Sequence, residues 1–395
     1  MRLSEANLNV VQAAIAESRV DGWLLYDFRG LNPIAAELIG VEGLATRRIF
    51  AYMPRKGTPM GIAHAIEPGP WRHWPAAWPR TIYSGWRELE AALAHVVRGK
   101  TVAMEYAPGD GVPYVDRVPA GVLEMVRGAG ATVVTSADLV SRCYAGWSSE
   151  QVTAHERAAE KIAAIAKAAI QRAGGAAKSG TPIMEHLLQQ WILEQFDAEG
   201  LTTDHGPTVA VGAHTADPHY EPDAAHALPI ASGTVLLIDL FAKEKSAGIW
   251  ADQTWIGSLG TPSERVVTVW NAVRDARDAA IALLSVDLAA GRAVSGAAAD
   301  RAARKVITDR GFGPYFTHRT GHSIDARDLH GSGPNLDDME TRDDRRLLPG
   351  VAFSIEPGVY LTGDFGIRSE VNAIVRPGAL HVTPAAPQRD LIVTG

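Results

Sequence analysis

Four carboxylates stand in runs otherwise fit for burial. Asp239 interrupts VLLIDLF, Asp252 interrupts GIWADQTWIG, Glu356 follows VAFSI, and Glu370 lies within GIRSEVNAIV. KEKSAG separates the first two as a hairpin loop, and paired strands would set Asp239 and Asp252 side by side. Glu370 shares a strand face with Arg368 at i, i+2. Any one of these carboxylates has a dull explanation, such as an edge strand, an ion pair or a cap. Four in one buried site would repel one another and take up protons unless a cation compensated. Two divalent cations bring +4 against −4, and a bridging hydroxide takes the total to −1. Charge balance therefore favours a two-metal centre, which activates water and polarises a carbonyl or phosphoryl oxygen. That is hydrolytic chemistry.

Histidines form the second constellation. FTHRTGHSIDARDLH, residues 316–330, holds His318, His322 and His330, and DPHYEP holds His219. Spacing alone leaves a metal cluster, a proton-handling pair and a polar loop all open. His205, His214 and His226 read as loop residues. The single cysteine, Cys143, rules out an intrachain disulfide and a cysteine-based zinc site.

The elements that must position these groups form two domains, 1–147 and 148–395. In the first, VDGWLLYDF, RRIFAYMPR and KTVAMEYAP read as strands and WRELEAALAHVVRG as a helix, a small α/β unit. The loop 69–80 carries Trp71, Trp74 and Trp78 among prolines. Those rings pack on their own domain, or else reach a subunit partner or a substrate cleft. In the second domain, Ser148 or Ser149 caps a helix that Gly174-Gly175 ends, and Thr181-Pro182 opens another that Gly200 stops. Strand-like runs then surround a helical block over 262–310, an α+β pattern.

Composition narrows the function classes. Hydrophobic residues are 46% and charged residues 21%, typical of a soluble globular protein. The net charge of −7, without a Lys/Arg-rich run, gives no electrostatic reason to bind nucleic acid or an anionic membrane. No segment reaches the roughly 18 apolar residues of a membrane span, and the N-terminus lacks a signal peptide's apolar stretch. The expectation is a cytoplasmic enzyme.

LLIDLF, ADQTW, RTGHS, SIEPGVY and GIRSEVNAIV resemble, in order, the five ligand-bearing motifs of the two-metal peptidases with the pita-bread fold. The likeness is to the branch of creatinase, aminopeptidase P and the Xaa-Pro dipeptidases, or prolidases. It implies a C-terminal pita-bread catalytic domain behind a smaller creatinase-type α/β domain, and a homodimer. Carried over by motif, Asp239, Asp252, His322, Glu356 and Glu370 are the metal ligands, and Glu356 is also the proton shuttle for the attacking water. Arg368 steadies the carboxylates around the metals. His219 and His330 serve the oxyanion and the leaving group, and His318 contacts substrate. One imidazole among four carboxylates favours Mn²⁺, with Co²⁺ or Zn²⁺ as alternatives. Trp255 stands where the family's Asp-x-Thr-Arg has arginine, a change expected to alter the cleft wall.

The resemblance also frames the substrate, a small peptide with proline in second position. A dipeptidase must hold a free carboxylate beyond the proline ring, which suits a bidentate arginine. Arg342, fourteen residues before Glu356, resembles the prolidases' carboxylate-gripping arginine, while Arg345 and Arg346 read as surface residues. The leading expectation is an Xaa-Pro dipeptidase. Alternatives are an aminopeptidase P acting on longer peptides, a creatinase-like amidinohydrolase, and a non-enzymatic binding protein of the same fold.

Overall fold

VDGWLLYDF forms the strand Gly22–Asp27, buried on both faces near the middle of a six-stranded mixed sheet. It pairs antiparallel with Ile49–Pro54 and parallel with Thr101–Met104. Alternate residues feed two cores. Trp23 and Leu25 pack with the helices Leu8–Glu17, Pro33–Ile39 and Ala137–Cys143, while Leu24 and Tyr26 pack with Trp86–Val97 and Ala120–Gly128. A strand covered on both faces reads as a continuous apolar run, which is why these three of the six strands were legible. The computed structural model describes residues 2–246 and 248–395. It divides into two compact units, Met1–Tyr144 and Ala145–Gly395.

Trp71, Trp74 and Trp78 stack edge-to-face, with centroids 5.3 and 5.0 Å apart, inside the first unit's core. Trp74 Nε1 donates to Trp78 O at 3.1 Å. With all three rings buried, the loop offers no exposed indole to a partner or a cleft. Of the two alternatives the first holds: the loop folds onto its own unit.

In the second unit, Ser148 caps the helix Ser149–Lys178, accepting from Gln151 N. The helix does not end at Gly174-Gly175. A Cβ on Gly174 would lie 2.1 Å from Thr394 Oγ1, so this glycine is a close-approach position for the strand Ile392–Thr394. The next helix is Glu185–Ala198, starting later than Thr181-Pro182 suggested, and Gly200 follows it at φ +71°.

A long antiparallel hairpin, Val235–Glu244 with Trp250–Leu259, is the unit's backbone, and Thr208–Val211 pairs with its first strand. One face (Leu236, Ile238, Leu240, Ala251, Trp255) packs under the helix Ser149–Lys178. On the other face Val235, Leu237 and Ile256 join the helices Glu264–Ala289 and Gly296–Asp309. The strands Ser323–Ile324, Ala352–Ile355, Val371–Arg376 and Ala379–Thr383 form a second antiparallel sheet, and Gly358–Leu361 with Phe365–Arg368 a separate hairpin.

Two expectations about the carboxylates change. Register sets Thr254 opposite Asp239 and Phe241 opposite Asp252, so the two aspartates share a face diagonally rather than directly. GIRSEVNAIV is not one strand: Arg368 pairs with Gly358 in one sheet, Val371 with Ile355 in another, and Ser369-Glu370 cross between them. Strand alternation therefore does not relate Arg368 to Glu370.

Candidate metal centre

His322 sits just before the strand Ser323–Ile324, where neighbours fix its ring. Its Nδ1 lies 3.1 Å from Ser323 O, and its backbone N donates to Ser354 Oγ at 2.9 Å. An Nδ1–H held by that carbonyl leaves Nε2 as the lone-pair nitrogen facing the carboxylates. Nε2 is 3.3 Å from Asp252 Oδ2 and 3.5 Å from Glu356 Oε1. The preceding Gly321 is required by packing, because a Cβ there would lie 2.0 Å from Ser354 O. Burial lowers the pKa of His322, against the raising pull of the neighbouring Glu356 carboxylate.

Ligand atoms of Asp252, His322 and Glu370 all lie within 4.8 Å of one another. Glu356, next to the strand Ala352–Ile355, accepts from Ser354 Oγ at 2.9 Å. Burial, then the charge of Glu356, raises Asp252 to about 8. Burial, against the opposing pull of Arg368, leaves Asp239 at about 7. Glu370 is also raised, by burial and then by Asp252, and its Oε1 has no hydrogen-bond partner. Glu356 alone moves down: although burial acts against it, the imidazoles of His322 and His318 and the Arg368 guanidinium keep it ionised. Crowded, proton-retaining carboxylates with an orphaned buried oxygen, and an imidazole whose Nε2 faces them, are a donor set that a cation satisfies.

Arg368 organises one wall. Nη2 reaches Asp239 Oδ2 at 2.5 Å, Nε donates to Thr254 Oγ1 at 2.9 Å, and Nη1 lies 3.3 Å from Tyr360 Oη. Thr254 Oγ1 in turn lies 2.8 Å from Glu370 Oε2. Tyr360 continues the network to His318 Nε2 at 2.8 Å. The sequence reading gave Tyr360 no role, and its one available signal was its place at the end of SIEPGVY.

These groups open on a cavity of about 430 Å³, whose wall includes Asp239, Asp252, His322, Glu356, Arg368 and Glu370. His219 and His330 also line it, and the His330 ring stands edge-on to His322 with centroids 4.1 Å apart. His318 is engaged with Tyr360 and with Arg319 O behind this wall, rather than on it. Arg342 is not brought in. Its side chain is 79% exposed, and Nε donates to Asp344 Oδ2 at 2.6 Å. Arg345, expected at the surface, is buried, gripping Asp343 through two nitrogens and the carbonyls of Ser332 and Gly333. Trp255 does not alter the cleft wall. Strand alternation turns it to the opposite face, where Nε1 donates to Gln253 Oε1 at 2.9 Å under the helix Ser149–Lys178.

A buried carboxylate–imidazole centre, held by paired antiparallel sheets and flanking helices, is a donor set suited to divalent cations. Residues 157–377 match metallopeptidase family M24, and the chain belongs to that family. It is similar to the probable dipeptidase PepE of Mycobacterium tuberculosis (32% identity; 48% of this chain, 47% of that protein). It is also similar to the Xaa-Pro dipeptidase of Lactobacillus delbrueckii subsp. lactis (31% identity; 43% and 42%). The chain thus spans about half the length of the curated relatives it matches. The crystal structure of dipeptidase PepE from Mycobacterium ulcerans superposes over 100% of both chains, with a TM-score of 0.71 and 23% identity, and shares the fold.

Proposed function

We propose that this chain is a metal-dependent peptidase that hydrolyses the Xaa-Pro bond of dipeptides. The observation that carries the reading is the convergence of Asp239, Asp252, His322, Glu356 and Glu370 on one cavity in a member of family M24. The names of the relatives, a probable dipeptidase and an Xaa-Pro dipeptidase, point to the substrate class.

Those five residues would hold two divalent cations, and the oxygen-rich set favours Mn²⁺ over Co²⁺ or Zn²⁺. When bound, such ions polarise the scissile carbonyl and acidify water. The protein's own groups do the rest. Glu356, ionised and anchored by Ser354, accepts the proton of the attacking water and passes it to the proline nitrogen. The neighbouring His322 imidazole, and then burial, push His330 down to about 3, so it meets the developing oxyanion as a neutral N–H donor. His219, on the same wall, binds substrate beside it. His318 acts through Tyr360, holding Arg368 on Asp239. A homodimer in the cytoplasm completes the reading, and no described helix is long and apolar enough to cross a membrane.

A second reading has its own support. Arg342 is exposed and paired with Asp344, so no arginine beyond Arg368 lines the cavity among the described residues. A site without a free carboxylate clamp suits longer Xaa-Pro peptides, as an aminopeptidase P takes. Mn²⁺-dependent hydrolysis of Ala-Pro and Ala-Pro-Ala separates the two: faster dipeptide cleavage is expected, and faster tripeptide cleavage would overturn the dipeptidase reading. Arg342 would grip the dipeptide's carboxylate only by leaving Asp344, and Arg342→Ala then raises KM for Ala-Pro with little change in kcat. An unchanged KM removes that role from Arg342.

A further inference from the structure

The cavity wall holds more acid than a metal pair uses. Beyond the four carboxylates of the centre, Asp204 and Glu221 line the same cavity. Both are exposed, and neither side chain has a hydrogen-bond or ion-pair partner among the described residues. Among the described residues Arg368 is the one guanidinium on the wall, and Asp239, Thr254, Tyr360 and Pro218 O already engage it. Lys243 lies over the indole of Trp250 at 4.1 Å and is not on the wall.

The fold fixes both acids beside the metal ligands. Thr208 is the strand partner of Asp239, and its Oγ1 donates to Tyr220 O at 3.0 Å, which ties the residue before Glu221 to the sheet edge. Tyr220 is itself held by Glu185 at 2.8 Å and stacked on His214, so Glu221 leaves from a rigid point. Asp204 lies in the turn between Leu201–Thr202 and Thr208–Val211. Both segments pair with the strand that carries Asp239 and Phe241, and Thr203 Oγ1 donates to His205 O at 2.8 Å within that turn. Phe241 faces the cavity, with Trp250 6.2 Å away edge-on and Leu329 on the same wall. Apolar side chains and two unpaired carboxylates thus share one cavity wall.

We infer that this part of the cavity selects a cationic side chain on the residue before proline, Asp204 and Glu221 being its specificity determinants. An aliphatic stem lies along Phe241, Trp250 and Leu329 while its ammonium or guanidinium head reaches the two carboxylates, the usual disposition of lysine and arginine on apolar surface. An acidic side chain there would meet like charge with no counter-ion. The inference rests on the Xaa-Pro peptidase reading and adds the substrate's first residue to it.

The test compares kcat/KM for Arg-Pro, Ala-Pro and Glu-Pro with the Mn²⁺-loaded full chain. Arg-Pro is expected to exceed Glu-Pro by about tenfold or more at low salt, the difference lying in KM, and the ratio falls in 0.5 M salt because the acids are exposed. The Asp204→Asn/Glu221→Gln double variant brings the ratio close to one, and Asp204→Lys/Glu221→Lys inverts it. A wild-type ratio near one, or one the variants leave unchanged, overturns the specificity assignment while the peptidase reading stands. Failure to cleave any of the three overturns the peptidase reading and this inference with it.

Discussion

Arg368 and Asp239 are locked together, Nη2 to Oδ2 at 2.5 Å, while the same guanidinium bonds Thr254, whose hydroxyl lies against Glu370. One cation thus orients two carboxylates, Asp239 on a strand and Glu370 in the crossing between two sheets. Arg368→Ala should weaken Mn²⁺ binding and lower kcat/KM by about 10–100-fold, the usual loss when a partner of a metal ligand is removed. Arg368→Lys should recover only part, since an ammonium lacks the planar fork that spans Thr254 and Asp239. Calorimetric titration of metal-stripped protein reads the affinity directly. Unchanged binding in Arg368→Ala would mean that Asp239 needs no such support.

The metal-stripped centre should make folding depend on pH in a definite direction. Asp239 and Asp252 are raised, mainly by burial, to about 7 and about 8, above the roughly 3.9 of an unfolded aspartate. Each is a carboxyl whose neutral form the fold prefers. That preference is fully felt below about pH 4 and is lost as pH rises through the folded-state values. Metal-free protein should therefore melt at a lower temperature at pH 8.5 than at pH 5.5, and saturating Mn²⁺ should close the gap. Thermal scans in both buffers, with and without metal, decide the matter, and a gap that metal leaves untouched would rule out the carboxylates as its source.

Tyr360→Phe removes one hydroxyl from the line His318–Tyr360–Arg368. The phenol is pushed up to about 12, chiefly by burial, and it lies 2.8 Å from His318 Nε2 and 3.3 Å from Arg368 Nη1. Leaving that imidazole nitrogen unpaired should cost about 1–3 kcal/mol of stability by chemical denaturation. If His318 acts through Arg368 rather than on substrate, kcat should fall while KM stays near its original value. A rise in KM alone would instead favour direct substrate contact.

Adjacent glycines in one helix should respond oppositely to alanine. A Cβ on Gly174 meets Thr394 Oγ1 at 2.1 Å, whereas one on Gly175 meets nothing within 4 Å. Gly175→Ala should stabilise by about 0.5–1 kcal/mol through helix propensity. Gly174→Ala gains the same propensity but overpacks the strand Ile392–Thr394, and should be destabilising by about 1–3 kcal/mol. Denaturant midpoints of the two variants check the contrast.

How legible the protein was depended on how local the relevant physics is. The strand Val235–Glu244, the Ser148 cap and the end of the second helix near Gly200 follow from apolar runs and turn chemistry within a few residues. The Gly174-Gly175 pair misled, because the reason for a glycine there lies in Thr394, far along the chain. Trp255 misled in the same way: its position in ADQTW says nothing of which sheet face it occupies until the register of the hairpin is known. Arg345 and Arg342 exchanged expectations, since a charged run looks alike whether its members reach Asp343 in the interior or Asp344 in solvent.

By itself the sequence determined the composition of the centre: carboxylates in apolar strands repel unless cations join them, and that constraint depends on residue type and immediate surroundings alone. Only the tertiary structure decided who works with whom. It split GIRSEVNAIV so that Glu370 crosses between sheets, set Asp239 in the grip of Arg368, turned His318 towards Tyr360, and left Asp204 and Glu221 unpaired on the cavity wall. Each of these depends on register and on contacts between residues distant in the chain, and a linear pattern carries no record of either.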